Sequence, residues 1–236
     1  MLSKFVFLKY YFSKIFLKKN QNFFLNIPAE KLFFTSKIKV SEIKFFLKKK
    51  DIKNKKFFFW DGNWDKKKLK IEEYKKANIN YNSVFQIFKS KKKYYQSDEY
   101  KHKSKIILSG KKTDRGQKSI SDLKKYFKSL NNLKLSLKRN GYLNQSQLKD
   151  GNINDEIGVV VGRNGEIIKL EDKFGGTHRF ALCKILKINK VYINIKAIHL
   201  NYLKKNISQF AKQYDDKKLI ELIKNKIKKQ YLISKN

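Results

Sequence analysis

Cysteine, proline and arginine are nearly missing from this chain, and each scarcity excludes something. The single cysteine, Cys183, rules out an intramolecular disulfide, and three histidines without a second thiol leave no zinc-type spacing. A reducing compartment is the simplest setting. With one proline, Pro28, and no Gly/Ser-rich stretch, nothing marks a linker between two domains. Acids are outnumbered 20 to 57 by basic residues, and none occurs before Glu30. Long apolar runs are missing too. Lys4, Lys9, Lys14, Lys18 and Lys19 break the aromatic text of Met1 to Asn20, whereas a bilayer span needs about 20 apolar residues. No transmembrane segment is expected, nor a secretory signal, since there is no uninterrupted apolar core with a small-residue cleavage site. The basic, amphipathic segment 1–36 leaves three readings open: an organelle-targeting peptide, a helix lying on a membrane surface, or a helix packed on the domain.

What is present points to a folded protein. The 236 residues are 41% hydrophobic and 14% aromatic, enough to bury a core and too apolar for a disordered chain despite 33% charged residues. The net charge of +37 points toward polyanions, but the lysines are scattered along the whole chain. Only Arg115, Arg139, Arg163 and Arg179 are arginines, while Asn, Ile, Phe and Tyr abound, as codon usage in an A/T-rich genome would produce. Non-specific nucleic-acid affinity at low salt is expected and carries little functional information. The expected location is the cytoplasm, with an organelle of an A/T-rich genome or the periphery of a membrane as the alternatives.

Periodicity sets the organisation. Lys37 to Leu47 mixes apolar and polar residues and reads as a strand running into a helix. Leu123, Tyr126, Phe127, Leu130, Leu133 and Leu137 recur at spacings of three and four, predicting a helix from Ser119 to Asn140 with Gly141 as its stop. Ile157 to Val161 and Ile167 to Leu170 flank Asn164-Gly165, a hairpin signal because both turn residues tolerate positive φ. A glycine loop follows, then a helix with Ala181, Leu182, Ile185 and Leu186 on one face. A strand from Val191 to Ile198 places Val191, Ile193, Ile195 and Ala197 on one side. Tyr81 to Gly110 is polar and aromatic and yields no element. The tail reads as an amphipathic helix through Leu219, Ile223, Ile227 and Tyr231. Three parts result: a segment 1–36, a domain 37–200 with its core in 133–199, and a helical tail 201–236.

The chemistry concentrates in Asp172-Lys173-Phe174-Gly175-Gly176-Thr177-His178-Arg179. Paired glycines before a helix let the backbone approach a ligand, and the free N–H groups of the first turn attract an anion. His178 and Arg179 add side-chain donors, Arg with a planar fork suited to phosphate. The alternative is a plain tight turn, with His178 hydrogen-bonded in the core and Arg179 paired to Glu171 or Asp172. Similarly, Trp60, Asp61, Trp64 and Asp65 offer either the wall and anchor of an acceptor pocket or two core indoles with Asp65 as a helix cap.

These motifs carry a resemblance. Leu137 to Gln145, the hairpin, the loop Gly175 to Arg179 and the strand Val191 to Ile198 stand in the order and spacing of the ParB N-terminal domain. Phe174 to Arg179 also resembles the Phe-Gly-Gly-Cys-His-Arg signature of sulfiredoxin, a member of the same superfamily. The likeness spans about Lys37 to His199. It implies an α+β fold with a small mixed sheet and helices, and a nucleoside triphosphate held by the loop. Thr177 replaces the sulfiredoxin cysteine and cannot form its sulfur intermediate, so sulfiredoxin activity is not expected. Partition proteins carry Gly-Glu-Arg-Arg here and continue into a helical DNA-binding domain, so that role is not expected either.

The expectation is therefore a nucleoside-triphosphate-binding protein acting as an ATP- or CTP-dependent phosphotransferase on an unidentified small-molecule or protein acceptor. The resemblance gives Gly175, Gly176, Thr177, His178 and Arg179 the phosphates, with Mg²⁺ as companion ion. Glu171, Asp172 and Asp65 are the candidate carboxylates for orienting the acceptor, and Trp64 is a candidate acceptor contact. The alternative is a non-enzymatic nucleic-acid-binding module using the same fold and the positive charge.

Overall fold

The computed structural model describes residues 34–52, 59–148, 151–152, 155–171, 175–202 and 205. The N-terminal segment up to residue 33, the residues from 206 onward on which the expected tail helix falls, and Asp172, Lys173 and Phe174 lie outside the described residues. Seven strands make one mixed sheet: β1 (Phe34–Lys39), β2 (Ile43–Leu47), β3 (Phe59–Trp60), β4 (Leu69–Lys70), β5 (Ile157–Val161), β6 (Ile167–Leu170) and β7 (Lys190–His199). The helices are α1 (Tyr74–Ala77), α2 (Ile79–Phe88), α3 (Asp98–Leu108), α4 (Ile120–Asn140) and α5 (Thr177–Ile185). The class is α+β. Strand order is β1-β7-β5-β6-β2-β4, and β3 extends the β1 side of β7 by pairing with Ile198 and His199.

The hairpin forms as its turn residues dictate. β5 and β6 run antiparallel with Val161 opposite Ile167, and Gly165 takes φ +84°. Both strands are buried along their length, and β5 sits between β6 and a parallel β7. On one face of the sheet, Ile157, Val159 and Val161 join the helices in the main core, where Phe180, Ala181, Leu182 and Cys183 of α5 are fully buried. On the other face Val160, Ile168 and Ala197 meet Trp60 and Trp64 in a smaller core.

Helix α4 matches its periodicity. Ser119 accepts from the Asp122 N–H while Asp122 accepts from the Ser119 N–H, a reciprocal cap, and Gly141 ends the helix at φ +67°. Leu123, Phe127, Leu130 and Leu137 are buried.

Three expectations change. Lys37–Leu47 contains no α-helix: a three-residue 3-10 turn, Val40–Glu42, separates β1 from β2, strands whose buried β-branched Ile38 and Ile43 fit a pleated surface. Ala197 does not share a face with Ile195. The β5/β7 register jumps from Val159 opposite Ile195 to Val160 opposite Ala197, a bulge at Lys196 that reverses the alternation. The stretch from Tyr81 to Gly110 holds most of α2 and all of α3, started by the side chains of Asn78 and Ser97. Its signal was hidden because the buried side chains of α3 are Glu99 and Lys103, which break any apolar stripe. Among the described residues no helix is long and apolar enough to cross a membrane.

Leu123 is fully buried in the main core. Leu123→Ala should cost about 3 kcal/mol in urea unfolding, whereas Leu135→Ala, on the exposed face of the same helix, should cost under about 0.5 kcal/mol. Equal losses would mean that α4 does not pack through the Leu123 face.

Candidate functional site

The glycine loop is built around one close approach. Gly176 is left-handed, φ +57° and ψ 36°, and a Cβ there would lie 2.8 Å from the Glu156 carbonyl oxygen and 3.0 Å from Ile157 Cα. Only glycine meets both demands. The Gly158 N–H donates to the Gly175 carbonyl at 3.2 Å, tying the loop to the start of β5. Gly176 is then the N-cap of α5, and no side chain caps that end. The N–H groups of its first turn are left for whatever occupies the space in front of them.

That space is a cavity of about 280 Å³ between the start of α5 and one side of α4, walled by Gly176, Thr177, His178 and Arg179 together with Tyr126, Leu130 and Leu133. Arg115 and Asp155 close its rim. Thr177 contributes backbone rather than hydroxyl, because its Oγ1 lies 3.3 Å from the Tyr74 hydroxyl in a buried pair. Arg179 is half-buried, and its guanidinium lies over the Tyr142 ring, 5.5 Å from the centroid. Behind it Glu156 accepts from the Tyr142 hydroxyl and the Gln145 N–H, both at 2.6 Å. Burial pushes the Glu156 carboxyl above the usual range, outweighing those bonds and the charge of Arg179.

His178 is anchored from behind. Its Nε2 lies 2.9 Å from Glu99 Oε2 and 3.1 Å from the Tyr126 hydroxyl, which donates to Glu99 Oε1 at 2.6 Å. Burial alone would raise the Glu99 carboxyl, but the charge and hydrogen bond of His178, the Tyr126 hydroxyl and Lys103 together hold it below the usual range. Lys103 Nζ is 3.9 Å from Glu99 and 2.5 Å from Asp114. Burial and the neighbouring Glu99 charge push the Tyr126 phenol well above its ordinary value, so it stays protonated as a donor.

Of the residues expected to act together, the structure assembles Gly175, Gly176, Thr177, His178 and Arg179. Glu171 is not in the cavity wall. It accepts from Asn78 Nδ2 at 3.1 Å, at the start of α2. Asp172 lies outside the described residues. Asp65 and Trp64 are placed elsewhere: the loop meets the Ile157 end of β5, while Asp65 binds the Arg163 side chain beyond the Val161 end, about 15 Å away along the strand. There Arg163 Nη2 reaches Asp65 Oδ1 at 2.6 Å, the Gly62 carbonyl at 3.0 Å and Asn63 Oδ1 at 3.0 Å. His199 Nε2 lies 2.9 Å from the Gly62 carbonyl, and Trp64 packs between Trp60 and His199. The turn is a clasp over the second face of the sheet. Asp65 sits within the short 3-10 turn Trp64–Lys67 and does not cap a helix.

Glu99, Tyr126, Arg115 and Asp155 were not singled out as site residues. Tyr126 stood on the inner face of a clear helix, but nothing in the sequence relates Glu99 to a histidine 79 positions later.

No family model matches the chain. No curated protein and no solved structure matches it.

Burial opposes ionisation of Asp65, yet the Arg163 hydrogen bonds and the charges of His199 and Arg163 prevail and lower it from 3.8 to about 2. This stabilisation is complete above about pH 3.8 and is lost as pH falls through 2. Asp65→Asn should therefore cost about 2 kcal/mol at neutral pH, with the deficit shrinking toward pH 2. Urea unfolding at the two pH values measures it, and a deficit that persists in acid would show that the Asp65 charge is not what stabilises the clasp.

Proposed function

We propose that the cavity at the start of α5 binds the phosphates of a nucleoside triphosphate, ATP or CTP, and that the domain is a ParB/sulfiredoxin-like phosphotransferase. The observation that carries this reading is the convergence on one cavity of the glycine cradle at Gly176, the uncapped first turn of α5, and the basic residues Arg115 and Arg179. A wall made of hydrogen-bond donors and positive charge suits an anion, and a planar guanidinium suits phosphate oxygens. At about 280 Å³ the cavity lies near the small end of ligand sites, the size expected for phosphates with the nucleoside reaching outward.

Among the described residues no group of three His, Cys, Asp or Glu side chains could hold a metal ion. Asp155 is the one carboxylate in the cavity wall among those residues. This set fits Mg²⁺ only as an ion carried largely by the phosphates and water, with Asp155 as its protein ligand, a common arrangement for that ion. When bound it would neutralise charge on the phosphates. Asp155 replaces Glu171 and Asp65 as the carboxylate to test at the reacting end. The buried free thiol of Cys183, pushed up to about 12 by burial, suits a reducing compartment such as the cytoplasm.

One observation favours a second reading. Lys124, Lys125, Lys128, Lys138 and Arg139 are exposed on α4, the helix that walls the cavity, so a nucleic acid lying along α4 with one phosphate in the cavity is the alternative.

Isothermal titration with ATP and CTP plus Mg²⁺ at about 300 mM salt, where screening acts within roughly 6 Å, separates the two. Nucleotide should bind, and Arg179→Ala or Arg115→Ala should weaken it by about tenfold or more, one charged hydrogen bond each. Absence of binding at millimolar nucleotide, with tight and salt-sensitive binding of an oligonucleotide, would replace the first reading by the second.

A further inference from the structure

Glu99 is fully buried on α3, and a carboxylate there has to be matched by donors. At His178 Nε2 both neighbours are acceptors: Glu99 Oε2, and the oxygen of a Tyr126 phenol whose hydrogen goes to Glu99 Oε1. In the neutral ring the proton therefore sits on Nε2, and Nδ1 holds a lone pair. Lys103 also faces Glu99, at 3.9 Å, and adds positive charge beside the carboxylate in either state of the imidazole. Nδ1 has no hydrogen-bond partner among the described residues, although only 8% of His178 is exposed, and the residue lines the cavity with Arg115 and Arg179.

A cavity of about 280 Å³ leaves little room for a triphosphate and a separate acceptor. Among the described residues Asp155 is the only carboxylate of the wall, and it lies exposed at the rim. The hydroxyls of the wall are engaged, Ser129 with the Tyr126 carbonyl, Thr177 with Tyr74 and Tyr126 with Glu99; the His178 nitrogen is the nucleophile backed by a carboxylate, an arrangement that raises nucleophilicity and offsets the charge gained on reaction. Building on the nucleotide-binding reading, we infer that His178 Nδ1 is the first acceptor of the phosphoryl group, so that the protein phosphorylates itself on this histidine. The bond formed joins Nδ1 to the γ-phosphorus; the bond broken joins that phosphorus to the bridging oxygen, whose electron pair leaves with the nucleoside diphosphate. Nε2 keeps its proton toward Glu99, so no further reactant is required. Arg115, Arg179 and the first turn of α5 hold the oxygens, and Glu99 and Tyr126 position the ring.

The test incubates the full chain with Mg²⁺ and γ-radiolabelled ATP or CTP, with nucleotide binding titrated in parallel. The expected label survives alkali and is released by acid, as a phosphorus–nitrogen bond requires, and fragmentation of the wild-type peptide places it on His178. His178→Asn should abolish the label even at nucleotide concentrations that saturate the variant in the parallel titration, and His102→Asn should leave it unchanged. Glu99→Gln should slow labelling by about tenfold or more at saturating nucleotide, one hydrogen bond to a charged group. Bound nucleotide without label, or label on another residue, overturns the inference and leaves the binding reading standing. Absence of both binding and label overturns the two together. If His178→Asn fails to fold, the site of label in the wild-type peptide decides alone.

Discussion

A carboxylate cut off from water constrains everything around it, and Glu99 is such a group at the meeting point of three helices. It belongs to α3, its hydroxyl donor comes from α4, and its imidazole comes from α5. Lys103, one turn along α3, adds a cation and links outward to Asp114 near the cavity rim. Truncating one member of such a network leaves the others buried and unpaired, which costs more than the pair contributes in isolation. The separation of α4 from the start of α5, and hence the width of the cavity, is held by these contacts in addition to apolar packing. The site is shaped by charges that do not face the ligand.

The two ends of β5 carry different work. At Ile157 the strand begins beside a backbone approach so close that a single Cβ would obstruct it, and this approach aims the first turn of α5. Beyond Val161 the chain turns into Arg163, whose side chain fastens the Gly62–Asp65 turn over the second face. A buried, hydrogen-bonded ion pair of this geometry orders a loop and a sheet edge relative to one another. The indoles of Trp60 and Trp64 fill the space so defined. Chemistry and fastening are thus separated by the length of one strand.

Much of this was legible in the amino-acid order wherever local rules act alone. Asn164-Gly165 announced the hairpin, Ser119 and Gly141 bounded α4, and the glycine pair before Thr177 marked the start of α5. The reading failed where a tertiary contact overrode the local pattern. The inner face of α3 is charged, so its helix left no apolar stripe; β2 was read as a helix following β1 because the three-residue turn between them carries no distinctive residue. Asp65 and Trp64 were grouped with the loop because one sequence holds no information on distance. Glu99 was invisible for the same reason, its partners lying on other helices.

The bulge in β7 shows how a residue count can matter more than residue identity. By inserting Lys196 into the pairing with β5, it exchanges the faces to which the following side chains point. Ile198 returns to the helices, while Ala197 lies under the indoles and His199 is aimed at Trp64, Asp65 and the Gly62 carbonyl. A regular β7 would carry the same histidine to the opposite side of the sheet. The fastening of the second face therefore depends on the phase of a strand: with the residue count unchanged but Lys196 drawn into regular pairing, the chain would possess every side chain the clasp uses and still be unable to close it.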